Sequence, residues 1–333
     1  MIPPWLEAMI LGIVQGLTEF IPVSSSGHLV LVPYLSGWED RSLAFDVLLH
    51  VGTLGAVVLY FRHELLAIGN GILQRDTSEE GRVYRRVGLL ILPASMPVAA
   101  AGWAFEDQVA EVFESPLITS LLLLVTAALL LALEAVRSGR VRRAAARDVA
   151  GIVDRPVEDA DTPDPGWGGD WRARDEHAVQ VDEVTRASLP TGVDVGDPLG
   201  ASLAGLTLRQ AMIAGLFQCL AILPGVSRAG STIAGGVFSG LTREAATRFS
   251  FLLVIPVLVG ATALSLPDLA EGGDTATELI AGVLAAFASG YVAIRFLVRL
   301  VSRERLTGFA YYCIAASIVG LIGHAMLGPA STV

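Results

Sequence analysis

Residues 8–28 read AMILGIVQGLTEFIPVSSSGH, and residues 211–231 read AMIAGLFQCLAILPGVSRAGS. The two stretches share Ala-Met-Ile, then Gly, Gln and Leu in step, and after a one-residue offset Pro22 and Ser25 fall on Pro224 and Ser227. In each, an apolar run stops at a proline and resumes with Ser and Gly, which reads as a helix, a break and a second short helix. The two interrupted segments, about 5–35 and 207–240, are therefore expected as re-entrant hairpins rather than membrane spans. Because such a repeat recurs as a unit, it sets the architecture before any single helix is assigned.

Working outward, the composition excludes a soluble protein: of 333 residues 53% are hydrophobic and 17% charged, and mean hydropathy is +0.60. Six uninterrupted apolar runs have the length of a bilayer crossing, at roughly 43–61, 86–105, 117–136, 247–267, 277–298 and 307–327. Arginines gather after the first run (Arg62, Arg75, Arg82, Arg85, Arg86), the third (Arg137, Arg140, Arg142, Arg143, Arg147) and the fifth (Arg299, Arg303, Arg305). The alternate loops carry Glu106, Asp107, Glu111 and Glu114, then Asp268, Glu271 and Asp274, with no arginine. By the positive-inside rule the arginine loops face the cytoplasm, which places both termini outside a multi-pass protein of the plasma membrane.

Each copy of the repeat opens a half with one hairpin and three spans, and three is odd, so the second half is expected to be inverted relative to the first. The expected fold is an all-α integral membrane protein with six transmembrane helices and two re-entrant hairpins arranged as an inverted repeat. The halves are 1–137 and 206–333. Between them, 138–205 contains DRPVEDADTPDPGWGGD, is rich in Pro, Gly and acids, and reads as a partly disordered cytoplasmic insert. Cys219 and Cys313 lie within apolar segments and do not suggest a disulfide framework. The N-terminal MIPPWLEAMI has no basic start, so a cleavable signal is not expected. All 23 basic residues are arginine, beside 33 acids, which fits a high-salt proteome and a GC-rich genome equally well.

Polar residues concentrate in the two hairpins. Gln15 and Glu19 are four apart and share a helix face; Pro22 breaks the helix, and Ser24, Ser25, Ser26, Gly27 and His28 open the next. The second hairpin offers PGVSRAGST, with Gly225, Ser227, Arg228, Gly230 and Thr232. Helix N-termini present unpaired N–H groups and a positive dipole end, and a guanidinium forks onto phosphate oxygens, so the pair reads as a phosphate site with its own acid–base groups. Ionisable groups at membrane depth are expensive to keep without a use, which favours function for Glu19, His28 and Arg228. Ser24, Ser26 and Ser231 fit back-bonding to helix carbonyls as well as they fit ligand contact. Asp46 and His50, four apart in the first span, fit either a polar tie between helices or support of the site.

QGLTEFIPVSSSGH resembles the (Glu/Gln)-x-x-x-Glu and Ser/His stretch of the undecaprenyl-diphosphate phosphatase family, also called the bacitracin-resistance family, and LPGVSRAGST is similar to that family's second motif. FDVLLHVGT and RFSFLLVIP are also similar to its segments. The resemblance implies a membrane hydrolase that converts a C55-type polyprenyl diphosphate to the monophosphate plus inorganic phosphate. That reaction recycles the lipid carrier for cell-wall glycan synthesis and confers bacitracin resistance. It further implies Glu19, Ser25, His28 and Arg228 as catalytic, with Gln15, Ser24, Ser26, Gly27, Gly225, Ser227, Gly230 and Thr232 binding substrate. It implies a divalent cation, Mg2+ or Ca2+, at Glu19. Gln15 is the less charged option at its motif position, and Ala229 stands where the family has a serine.

The expected partners are the polyprenyl diphosphate and membrane lipid, not nucleic acid, with a homodimer left open. The nucleophile is left open among Ser25, His28 and water. An alternative is a carrier that flips polyprenyl phosphate, since inverted repeats around a midplane site are a transporter architecture; such a carrier has no need of Ser25, His28 and Glu19 together. Membership of the lipid-phosphatase superfamily is excluded, because its first motif needs a lysine.

Overall fold

The computed structural model describes residues 2–38, 42–113, 115–153, 202–265, 273–303 and 305–328, and every regular element among them is helical. The first hairpin is α1 (Pro4–Phe20) and α2 (Ser25–Ser36). Helix α1 ends because Ile21, which precedes Pro22, is forced into extended backbone (φ −68°, ψ 136°). The chain continues as α3 (Leu43–Tyr60), α4 (Arg62–Ile72), α5 (Glu79–Ala104), α6 (Glu106–Phe113) and α7 (Pro116–Val153). The second hairpin is α8 (Leu208–Gln218), a 3-10 turn (Cys219–Ile222) and α9 (Arg228–Phe238). Leu223, before Pro224, is extended as Ile21 is (φ −78°, ψ 131°). Helices α10 (Arg243–Ser265), α11 (Ala276–Arg303) and α12 (Thr307–Leu327) complete the fold.

Five helical stretches are long and apolar enough to cross a membrane: Glu79–Ala104, Pro116–Arg140, Arg243–Ala263, Ala276–Leu300 and Thr307–Leu327. The expected first span differs from a simple crossing. Phe45–Tyr60 and Arg62–Ile72 pass only as a pair bent by 74°, so the arginine-bearing segment after Tyr60, read from sequence as loop, continues as helix α4. Residues 138–153 of the expected insert are helical, as the continuation of α7, and 154–201 lie outside the described residues. By contact density residues 1–136 and 198–333 form one compact unit and 137–197 another.

The first unit is held by a core that includes Phe20, Phe61, Phe249 and Phe251, with Phe20 edge-on to Phe251 at 5.7 Å between centroids. Its packing is reciprocal between the two copies of the repeat. Helix α1 packs on α11, and α8 packs on α5. A Cβ on Gly12 of α1 would overlap the carbonyl of Gly282 in α11, and a Cβ on Gly215 of α8 would overlap the carbonyl of Ala94 in α5. Both glycines are required by this close approach. Outward from the core, α5 and α11 expose Leu92, Met96, Leu284 and Val292, an apolar face that suits lipid.

The structure corrects the register of the repeat. Ser24 caps α2 by accepting the Gly27 N–H (3.3 Å), and Ser227 caps α9 by accepting the Gly230 N–H (3.1 Å). The one-residue offset at the prolines does not persist to the serines, because the second turn carries Gly225 (φ 92°) as an additional residue. Ser24 therefore corresponds to Ser227, and Ser25 to Arg228.

Candidate functional site

Glu19 sits on the last turn of α1 with its side chain 3% exposed. Gln15, one turn earlier on the same face, donates from Nε2 to Glu19 Oε2 at 3.1 Å. Ser25, the first residue of α2, donates its hydroxyl to the same oxygen. From the second hairpin, Arg228 Nη2 donates to Glu19 Oε1 at 2.6 Å, a charge-assisted bond across 209 residues. The carboxylate is thus engaged by both hairpins at once.

The hairpin turns meet closely enough for this to happen. A Cβ on Gly27 would lie 3.1 Å from Gly225 Cα, and one on Gly230 would lie 3.6 Å from Pro22 Cβ, so each turn rests on the other's glycine. Ser24 adopts φ 70°, ψ 95°, a left-handed conformation costly for a residue with a side chain and held here by its capping bond.

Glu19, Ser25, Ser227 and Arg228 line a cavity of about 200 Å³, together with Asp46 and His50 of α3. Ser24 and Ser26 also reach it, and Phe113 at the end of α6 closes part of its wall. His50 Nδ1 lies 2.7 Å from the Asp46 carbonyl oxygen, which can only accept, so Nδ1 carries the proton. Its Nε2 then faces the cavity, 3.7 Å from Glu19 Oε2. The expected Asp46–His50 pairing is thus made through the Asp46 backbone, and both residues belong to the cavity wall.

His28 does not line this cavity. Its Nδ1 is 2.7 Å from the Ser24 carbonyl oxygen and its Nε2 2.7 Å from the Tyr312 hydroxyl, with the two rings stacked at 5.6 Å. By the same tautomer argument Nδ1 donates and Nε2 accepts from Tyr312. Gln15, Gly27, Gly225, Gly230 and Thr232 stand behind the wall rather than in it. Thr232 donates to the Arg228 carbonyl at 2.8 Å and pairs with Ser250, which braces the first turn of α9. Among the described residues no group of three or more His, Cys, Asp or Glu is arranged to hold a metal ion. Nothing in the residue pattern marks Tyr312 or Thr126, a buried threonine of α7 that touches the second turn.

Fold and site together define a polytopic helical membrane protein with a buried carboxylate, guanidinium and hydroxyl set where two helical hairpins meet. The profile of the family described as Bacitracin resistance protein BacA matches residues 8–153 and 196–319. The chain is 38% identical to an undecaprenyl-diphosphatase of Alkaliphilus metalliredigens, over 92% of this chain and 94% of that protein. It is 36% identical to an undecaprenyl-diphosphatase of Geobacter sulfurreducens, over 93% and 95% of the two chains. It is 33% identical to undecaprenyl-diphosphatase 2 of Streptomyces avermitilis, over 98% and 97%. The chain belongs to the bacitracin-resistance BacA family.

Proposed function

We propose that this protein hydrolyses a polyprenyl, undecaprenyl-type diphosphate to the monophosphate and inorganic phosphate, and so recycles the lipid carrier used for cell-envelope glycans. The observation that carries the reading is the Glu19 carboxylate, which accepts from Ser25 and Arg228 on the wall of one cavity. A hydroxyl bonded to a buried carboxylate is a nucleophile paired with its base. Ser25 Oγ attacks the terminal phosphorus, its proton passes to Glu19, and the bridging P–O bond breaks with the polyprenyl monophosphate as leaving group. Water then hydrolyses the phosphoserine. Arg228 and the N-terminus of α9 stabilise the charge on the phosphoryl oxygens. His28, tied to Ser24 and Tyr312, acts by fixing the α2 turn that presents Ser25.

A divalent cation fits this site as a companion of the substrate. Glu19 and Asp46 both line the cavity, and magnesium or calcium held by one or two carboxylates takes its remaining oxygens from phosphates. Bound there, it would neutralise phosphate charge. Gln15 contributes an amide rather than a second charge to the Glu19 oxygens.

The reciprocal contacts of the two hairpins support an inverted repeat about an axis in the membrane plane, with both hairpins re-entrant. Phe113 lines the cavity, and the charge pattern of the sequence supports an outside location for the loop it belongs to and for both termini. We place entry of the diphosphate head group at the outer face, as the family resemblance implies. No observation favours the carrier reading separately.

The test is phosphate release from a C55-type diphosphate in detergent, with and without EDTA, for the wild type beside Glu19→Gln, Ser25→Ala, His28→Ala and Arg228→Ala. Wild-type release, with a loss of about 10³-fold or more in the Glu19 and Ser25 variants and a smaller loss in His28→Ala, is the expected result. A folded wild type that binds the lipid and releases no phosphate overturns the reading.

A further inference from the structure

Thr126 is 1% exposed, in the N-terminal third of α7, and lies far from Arg228 in sequence. Its hydroxyl donates to the Gly225 carbonyl at 2.8 Å and accepts the Ser227 N–H at 2.8 Å. One hydroxyl therefore pairs with two backbone groups of the second turn, a carbonyl and an N–H, within the stretch whose Val226, Ser227 and Arg228 line the cavity. A Cβ on Gly225 would overlap the Thr119 carbonyl and come within 2.9 Å of Leu122 Cβ, so the turn is pressed flat against α7 along Thr119, Leu122 and Thr126.

The first hairpin has a weaker version of the same contact. Cys313 of α12 approaches the Pro22 carbonyl with Sγ at 3.9 Å, and Pro22 stands two residues before the Ser24 cap as Gly225 stands two before the Ser227 cap. A thiol is a poor donor, whereas a threonine hydroxyl is a full one. The stronger clamp thus falls on the turn that must aim a long, flexible arginine.

We propose that Thr126 is a positioning residue for the hydrolysis, acting through the Gly225–Ser227 backbone to fix the cap of α9 and with it Arg228. The inference rests on the phosphatase reading. Misplacement of a catalytic group by about 1 Å costs about 10²-fold in rate, and loss of a residue that orients a ligating group costs about 10- to 100-fold.

The experiment compares Thr126→Val, Thr126→Ser and Thr126→Cys in the full-length, detergent-solubilised protein. Three readouts are taken: kcat and KM for phosphate release from a C55-type diphosphate, the thermal unfolding midpoint, and hydrogen–deuterium exchange of the peptide covering 223–231. Thr126→Val keeps the shape and removes both bonds. It is expected to lower kcat about 10- to 100-fold with KM changed by less than about 3-fold, and to speed exchange at 223–231 selectively. Thr126→Ser restores kcat to within about 3-fold, and Thr126→Cys, which copies the first hairpin's clamp, falls between them. Should Thr126→Val fail to fold, the Ser-to-Cys difference carries the test alone. Wild-type kcat in Thr126→Val, or equal kcat in Thr126→Ser and Thr126→Cys, overturns the proposal. Wild-type protein that releases no phosphate sinks the phosphatase reading instead, and the exchange rates at 223–231 still report whether Thr126 holds the turn.

Discussion

Ser24 caps α2 and Ser227 caps α9, each accepting the N–H of the glycine three residues on, yet the residue after the cap is Ser25 in one hairpin and Arg228 in the other. The difference continues through the helices that lead in. Gln15 and Gln218 occupy corresponding fully buried positions, but the residue four further on is Glu19 in α1 and Ile222 in the 3-10 turn after α8. One backbone plan is used twice, and the chemistry is divided between the copies: the first supplies carboxylate and hydroxyl, the second supplies the cation. The matching serine caps bring the two turns together, and the different residues after them leave a single site of mixed charge where two identical hairpins would have opposed like charges.

The largest expected effect comes from removing one side of that division. Arg228→Ala leaves the Glu19 carboxylate, its side chain 3% exposed, without its guanidinium partner, and is expected to cost about 3–5 kcal/mol of stability as well as all measurable phosphate release. Glu19→Gln added to Arg228→Ala removes that charge and recovers most of the stability while activity stays lost. Denaturant unfolding of the wild type, both single variants and the double variant measures this. A double variant no more stable than Arg228→Ala would show that the hairpins are not held together through this pair.

The shared plan predicts equal sensitivity where chemistry plays no part. Gly12→Ala and Gly215→Ala each push a methyl into a backbone carbonyl of a neighbouring helix, and each is expected to destabilise by about 1–3 kcal/mol. Thermal unfolding midpoints that fall together support the repeat as a packing unit. A tolerated change at one glycine beside a damaging one at the other breaks the equivalence.

Much of this was legible in the sequence because it is written in residue types that act locally. Proline ends α1 and the 3-10 turn through the residue before it, serine caps the next helix, and a run of about 20 apolar residues states a span. Glu19, His28 and Arg228 stood out because ionisable groups are conspicuous in apolar surroundings, and Ser25 was read with them; of this set Glu19, Ser25 and Arg228 meet at the cavity, whereas His28 does not line it. The bend after Tyr60 was not readable, because Arg62 looks like a loop residue until α4 is seen to lie against α5, where Gly71 and Gly88 let the helices close. Thr126 and Tyr312 were not readable either. Each is an ordinary residue within an apolar helix, and its role arises from a partner about 100 or more residues away. The register of the serines was misread for a similar reason: identity of type aligned Ser25 with Ser227, whereas the capping bonds align Ser24 with it.

The smallest expected effect separates the two buried glutamines. Gln15 gives its amide to Glu19, so Gln15→Leu removes a bond to a buried carboxylate and is expected to cost about 1–3 kcal/mol with a several-fold loss of phosphate release. Gln218 has both its amide nitrogen and its amide oxygen buried with no protein partner among the described residues. Gln218→Leu exchanges two unpaired polar atoms for apolar ones of similar volume, and such exchanges are neutral or stabilising. Its unfolding midpoint is expected to stay level or rise, with activity unchanged, since Ile222 offers no carboxylate for Gln218 to orient. A loss of more than about 1 kcal/mol in Gln218→Leu means instead that buried water pairs with the amide. In that case the second hairpin keeps a hydrated polar pocket of its own where the first keeps its carboxylate, and the two copies differ in charge rather than in polarity.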